Sequence, residues 1–271
     1  MVFAPNTRTM FQDLALPERL DRFRRHGFDT VEYLFPYDIP AASLKQLLDE
    51  RDMKISLLDV LPGNVDAGDI SAAIDPARVA EFRENARRAL EYALVLDVGF
   101  VNCLAGCAVN ARGSEAILPD ERARLLDLYK ENLAYTCDLF RESGRTILVE
   151  PISSFQFPGY LVNRLEEAEA IIDELDRPNL ALQFDFFHVQ IAQGNVSNNL
   201  ERCHSRIRYC QIANPPGRNE PGVGELKYGY LLDRLEALGY EGFVGLEYVP
   251  SDGMEHDFSW LKKREAGRTP A

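Results

Sequence analysis

Short apolar runs rich in β-branched residues alternate along the chain with longer stretches whose apolar positions recur every three or four residues. The runs Val2–Pro5, Thr30–Leu34, Lys54–Val60, Phe100–Leu104, Thr146–Glu150, Leu180–Asp185, Ile207–Ile212 and Phe243–Glu247 predict strands. Between them the spacing predicts helices over Pro17–His26, Ala41–Arg51, Pro76–Leu96, Asp120–Ser143, Leu165–Asp176 and Tyr230–Leu238. Within Pro76–Leu96, for example, Val79, Phe82, Ala86, Ala89, Leu90 and Ala93 share one face. Pro17 and Pro119 suit helix starts, and Gly27, Gly99, Gly144 and Gly239 suit helix ends. Strand and helix in strict alternation, joined by right-handed crossovers, imply a parallel sheet covered by helices. Eight such units in 271 residues fit an α/β fold of the (β/α)8 TIM-barrel type. The rival, an open doubly wound sheet, would carry a glycine-rich phosphate turn after its first strand, and no GxGxxG is present. Residues 1–255 read as one barrel domain, followed over 256–271 by a helical appendage and a frayed tail.

Composition narrows the function. With 46% hydrophobic residues there is enough apolar material for a large core, which excludes a disordered chain. A net charge of −13 argues against a nucleic-acid partner, because phosphates need a basic face. It also means that an anionic ligand requires a locally placed Arg or Lys. Cys103, Cys107, Cys137, Cys203 and Cys210 form no CxxC pair and read as reduced, buried thiols, so a cytoplasmic location is expected. The residues MVFAPNTRTMF do not read as a secretory signal, and no run approaches the roughly 18 apolar residues of a membrane span. A homo-oligomer is left open, since no apolar stripe marks an interface.

Four consecutive predicted strands close on a metal-capable side chain: Glu150, Asp185, Gln211 and Glu247. A buried parallel strand should read as unbroken apolar sequence, so a polar group at its end carries a cost that something must offset. In a barrel these ends form the mouth that holds the active site. Three carboxylates and an amide oxygen are hard donors and favour Mg²⁺ or Mn²⁺ over zinc or copper. A divalent ion chelated by a carbonyl and its neighbouring hydroxyl would stabilise an enediolate, while Glu150 and Glu247 exchange protons with the carbons. The residues therefore predict proton transfer on a small hydroxycarbonyl substrate.

The segments VEYLFPYDIP (Val31–Pro40), VEPI (Val149–Ile152), QFDFFHVQ (Gln183–Gln190), QIANPPGRNEPGVGEL (Gln211–Leu226) and GLEYVP (Gly245–Pro250) closely resemble the hydroxypyruvate isomerase family. That family belongs to the xylose-isomerase-like TIM barrels. The resemblance runs through roughly residues 5–250, and PxRxEPGxGE is its most specific part. It implies a divalent metal held by Glu150, Asp185, Gln211 and Glu247, with the two glutamates as acid/base partners in an aldose–ketose isomerisation. It further implies that His188 and Arg218 hold substrate oxygens. The residues themselves leave Arg218 open as a loop brace to Glu220 or Glu225, and His188 as a support for a ligand. Asn6 and Asn102, retained from the family pattern, are candidate substrate contacts. Phe155, Phe157 and Tyr160 are candidates for an apolar wall or lid, and Lys227 reads as solvated. His26, His204 and His256 read as helix-end or surface residues.

Two stretches depart from the family pattern. VLPGNVDAGDISAAID (Val60–Asp75) stands where relatives carry NLPxGDWxxGERG, so Trp and Arg are missing while Asp66, Asp69 and Asp75 make the loop acidic. That counts against hydroxypyruvate itself as the substrate. PNTRTMF (Pro5–Phe11) replaces an ANLSMLF type and brings Thr and Arg to mouth positions. A ketose C3-epimerase would use the same glutamates and differ only in where the proton returns. A metal-dependent abasic-site endonuclease would need a His-rich zinc cluster and a basic groove, which four His and the net charge disfavour. A non-catalytic metal-binding barrel would have no need of both glutamates.

Overall fold

The computed structural model describes residues 1–108 and 118–266. Its strands are β1 (Val2–Pro5), β2 (Thr30–Glu32), β3 (Lys54–Asp59), β4 (Phe100–Asn102), β5 (Thr146–Val149), β6 (Leu180–Asp185), β7 (Ile207–Ile212) and β8 (Phe243–Leu246). All pair in parallel, in the order β1-β8-β7-β6-β5-β4-β3-β2. A parallel bridge between Asn6 and Glu32 brings β1 back towards β2 and nearly closes the barrel. Around it lie α1 (Leu16–Arg25), α2 (Ala41–Asp49), α3 (Val79–Val95), α4 (Pro119–Phe140), α5 (Leu165–Leu175), α6 (Phe186–Ala192), α7 (Val196–Cys203) and α8 (Tyr228–Ala237). The last helix, α9 (Ser259–Ala266), follows β8, and residues 267–271 of the expected tail lie outside the described residues.

All eight expected strands are present, several one or two residues shorter. β5 stops before Glu150 because Pro151 has no N–H with which to continue the ladder. Past β8, the Glu247 carbonyl accepts from Arg218 Nε (3.2 Å) instead of from a neighbouring strand. The pattern did not predict α6 and α7. Asp185 is both the last residue of β6 and the N-cap of α6, its Oδ1 accepting from Phe187 N (2.7 Å), so no loop separates the two. Phe186, Phe187, His188 and Val189 are all buried, which erases the amphipathic period that would mark a helix. His256, expected at a helix end or the surface, does cap a one-turn helix but is only 3% exposed.

Inside the barrel the two-residue alternation of strand side chains stacks the interior in layers. The lowest is apolar: Phe100 lies against Tyr209 (ring centroids 5.5 Å) and Phe243 (6.0 Å), packed with Leu57, Leu148 and Ala181. Two residues further along each strand the same faces present Asp59, Asn102, Glu150, Gln183, Gln211 and Gly245. One more step along β6 and β8 brings Asp185 and Glu247 to the mouth. The intervening residues, such as Val149, Phe184 and Ile212, point outwards into the larger core shared with the helices. The apolar plug thus seals the barrel and confines its polar residues to the C-terminal end.

Candidate active site at the strand ends

A cavity of about 240 Å³ opens at these strand ends, lined among others by Asp59, Asn102, Glu150, His188, Arg218 and Glu247. Pockets for drug-sized ligands run to about 300–1,000 Å³, so this one suits a smaller molecule. Phe157 supplies part of the wall and packs near Tyr160 (6.4 Å). Tyr160 is buried and accepts from Ala105 N through its hydroxyl (2.9 Å), whereas Phe155 points away and is 76% exposed.

The structure brings together Glu150, Asp185 and His188, whose ligand atoms lie within 4.8 Å of one another. Asn102 Nδ2 donates to Glu150 Oε2 (2.8 Å), and His188 Nε2 stands 3.5 Å from Asp185 Oδ2. The other imidazole nitrogen meets Ser153 Oγ at 3.3 Å. Burial, with the charges of Glu247, Asp185 and Asp59 adding to it, pushes the Glu150 carboxyl well above the usual range. Burial likewise takes Asp185 up to about 7, with Arg218 opposing and Glu247 reinforcing the shift. His188 is driven well below the ordinary imidazole value, first by burial and then by Arg218, and is neutral.

Arg218 makes neither of the loop pairs that the sequence left open. Its Nη2 meets Glu247 Oε2 at 2.8 Å, and its guanidinium lies 5.1 Å from the Phe187 ring centroid. Its φ of 56° is a left-handed conformation that a non-glycine residue adopts at a cost. The surrounding loop holds it there: Asn214 and Asn219 exchange backbone hydrogen bonds, Val249 N donates to Arg218 O (2.8 Å), and Asn219 Nδ2 donates to Val249 O (2.9 Å). Glu225 accepts instead from Gln190, Glu220 from Ser251, and Lys227 is exposed.

Gln211 sits one layer deeper. Its Oε1 accepts from Gln183 Nε2 (2.6 Å), and its Nε2 donates to Glu32 Oε1 (3.1 Å). Glu32 was not singled out from the sequence, although a carboxyl inside the strand TVEYL was the available signal. It is fully buried, accepts from Asn6 Nδ2 (2.9 Å), and fits only because β8 offers Gly245 beside it. A Cβ there would lie 1.8 Å from Glu32 Oε1. Burial and the charge of Glu247 push Glu32 up to about 8. Asn6 is therefore occupied on both sides, since its Oδ1 accepts from Arg8 N (2.8 Å), and it does not line the cavity. Asp59 was also missed; it lines the cavity and is held well above the carboxylate range by burial, then by Glu247 and Glu32.

Among the described residues, several buried atoms here have no hydrogen-bond partner: Asp59 Oδ1, Asn102 Oδ1, Gln183 Oε1 and Asp185 Oδ2. All are acceptors, and an uncompensated buried acceptor costs about 1–3 kcal/mol. Acceptor oxygens crowded at one mouth, with carboxyls whose pKa is raised by burial and then by neighbouring carboxylates, fit a divalent cation of the hard, oxygen-preferring kind. Glu150 and Asp185 each offer a carboxylate oxygen, within 4.8 Å of one another, that could reach one ion. Gln211 retains one Oε1 lone pair, and Glu247 reaches the same cavity from β8.

Comparison with known proteins gives a consistent picture. Residues 20–264 match a family described as xylose isomerase-like TIM barrel. A 2-oxo-tetronate isomerase of Cupriavidus necator is 38% identical over 262 residues, covering 96% of this chain and 97% of that protein. The hydroxypyruvate isomerase of Escherichia coli is 32% identical, over 96% and 97% respectively. A solved structure from Brucella melitensis, described as an AP endonuclease of family 2, superposes with a TM-score of 0.88 at 35% identity, covering 97% of this chain and 98% of that one.

Proposed function

The chain belongs to the xylose isomerase-like TIM barrel family, and on that premise we propose that it is a divalent-metal-dependent isomerase of small hydroxy-oxo acids. Hydroxypyruvate and 2-oxo-tetronate, after which its relatives are named, define the substrate class. The observation that carries this reading is the cluster of buried acceptor oxygens around Glu150 and Asp185, facing Glu247 across a cavity sized for a small metabolite.

Glu150, Asp185, Gln211 and Glu247 would hold the ion, Mg²⁺ or Mn²⁺ by their donor chemistry. When bound, it supplies positive charge to the substrate oxygens on which negative charge develops. The protein residues do the rest. Glu150 and Glu247 stand on strands three apart and approach a bound substrate from different sides, so one removes the proton beside the carbonyl and the other returns a proton to the adjacent carbon. Neutral His188, within reach of Asp185, presents a ring nitrogen to a substrate hydroxyl or carbonyl oxygen. Asn102 fixes the Glu150 carboxylate, and the Phe157 wall limits water in the cavity.

A ketose C3-epimerase would employ the same two glutamates, and product analysis separates the outcomes. The endonuclease described for the Brucella structure suits this chain poorly, since a charge of −13 repels a phosphate backbone. The deciding experiment follows exchange at the α-carbon by NMR in D₂O. The protein, with Mn²⁺ and then with EDTA, is given hydroxypyruvate, tartronate semialdehyde, 2-oxo-tetronates and free ketoses. Metal-dependent conversion, lost in Glu150→Gln and Glu247→Gln, is the expected result. Folded, metal-loaded protein that exchanges no proton on any of these compounds would overturn the reading.

A further inference from the structure

The cavity is rich in carboxyl groups, and a carboxylated ligand can enter only against a compensating cation. Among the described residues two guanidinium groups line it, those of Arg8 and Arg218. Arg218 is committed: Glu247 holds it in an ion pair at 2.8 Å, and its Nε is used by the Glu247 carbonyl. His188 is neutral. The loop after β3, which contributes Val65, Gly68 and Ile70 to the cavity, contains no Lys or Arg from residue 60 to 75. Arg8, by contrast, has no carboxylate within ion-pair distance among the described residues. Its guanidinium lies 5.2 Å from the centroid of Phe35, another lining residue.

That stacking matters for recognition. An aromatic ring takes up one face of the guanidinium, orients its plane and leaves the N–H edge free for a bidentate carboxylate contact. Arg8 follows β1, and in an eight-stranded barrel β1 stands opposite β5, the strand that leads into Glu150. The base of the residue is also fixed, because Arg8 N donates to Asn6 Oδ1 and Asn6 is tied to Glu32.

We propose that Arg8 is a specificity-determining residue that receives the substrate carboxylate, so that the hydroxycarbonyl end is turned towards Glu150 and Asp185. The proposal rests on the isomerase reading above and deepens it by selecting acids over neutral ketoses. A ligand so held carries its carboxylate beside, and not between, the carbons that exchange a proton.

Binding and turnover test the two ideas separately. In Mg²⁺, calorimetry compares L-threonate, a four-carbon hydroxy acid without a ketone, with threitol, its uncharged counterpart. Wild-type protein should prefer threonate. Arg8→Gln should weaken threonate binding about 10-fold, a modest value because the residue is exposed to solvent, and leave threitol unchanged. Arg8→Lys, which keeps the charge but loses the fork, should fall between. In turnover, Arg8→Gln should raise KM for 2-oxo-tetronate by a similar factor with kcat little changed. Equal threonate affinity in wild type and Arg8→Gln, or no threonate preference in wild type, would overturn the assignment. A threonate preference lost in Arg8→Gln, in a protein that isomerises no hydroxy-oxo acid, would uphold Arg8 and overturn the isomerase reading alone.

Discussion

Two clusters in this barrel have nearly the same composition. Glu150, Asp185 and His188 gather at the mouth, and Glu220, Asp252 and His256 gather beside the C-terminal helix, each with ligand atoms within 4.8 Å. They differ in what their atoms already do. In the second cluster Glu220 Oε2 accepts from Ser251 N (2.9 Å) and its other oxygen from the Ser251 hydroxyl. His256 Nδ1 meets Asp252 (2.8 Å), its Nε2 meets the Tyr248 hydroxyl (3.0 Å), and Trp260 Nε1 donates to that same hydroxyl (3.0 Å). The ring of His256 packs 4.6 Å from that of Phe258, which in turn reaches Phe28 at 4.7 Å. This is a latch that fastens the C-terminal segment to the barrel. The mouth cluster, by contrast, leaves Asp185 Oδ2 without a hydrogen-bond partner among the described residues, and burial, followed by the charges of neighbouring carboxylates, pushes Glu150 well up. Side-chain type alone does not separate a site from a brace; unmet bonding capacity does.

The contrast breaks most readily on activity. Glu150→Gln should lower turnover about 10²- to 10⁴-fold, the usual contribution of a positioned acid or base, while Glu220→Gln stays within about twofold of wild type. Equal losses in the two variants, in steady-state assays of folded protein, would erase the distinction. Metal binding gives the next largest effect. Mn²⁺ at a hundredfold excess over its Kd should stabilise the protein by about 2.7 kcal/mol. Thermal melts should show that gain vanish in Asp185→Ala and persist in His256→Ala; the reverse would put the ion in the latch. A smaller effect comes from the two donors that support the glutamates. Asn102→Ala should cost about 10- to 100-fold in activity with little change in urea midpoint. Ser251→Ala should cost about 1 kcal/mol of stability with activity retained.

How far the sequence carried depended on whether a signal was local. The eight strands and the helices α1 to α5 and α8 were legible because period two and period 3.6 survive wherever one face is buried and the other is not. They failed at α6, whose N-cap is the last residue of β6 and whose first turn is buried all round. The four strand-end residues stood out because each closes an apolar run. Glu32 and Asp59 lie inside such runs and were passed over, and Glu32 is intelligible only once Gly245 of β8 is seen beside it, more than two hundred residues away in sequence. The pairing of Arg218 with Glu247 was likewise out of reach, since two loops must fold over each other before the guanidinium turns inwards. His256 does end a one-turn helix, as its sequence context suggested, but its burial was out of reach because it comes from Tyr248 and from Phe258, which packs on Phe23 and Phe28 from the opposite end of the chain.

The smallest expected effect bears on the latch directly. Burial works against the Glu220 carboxylate, but the Ser251 hydroxyl and backbone N–H more than offset it, and its pKa lies below the ordinary value of 4.5. The unfolded chain therefore binds a proton at this position more readily than the native state does, so its contribution to stability rises with pH. That contribution is fully present above about pH 4.5 and is lost as pH falls through the lowered native value. Denaturant unfolding of wild type and Glu220→Gln should accordingly differ by about 1 kcal/mol at neutral pH, with the gap narrowing only on the acid side. A gap that stays constant from neutral pH down through the carboxylate range would mean that Ser251 does not discriminate the charged form of Glu220. The latch would then act through packing of His256, Phe258 and Trp260 alone.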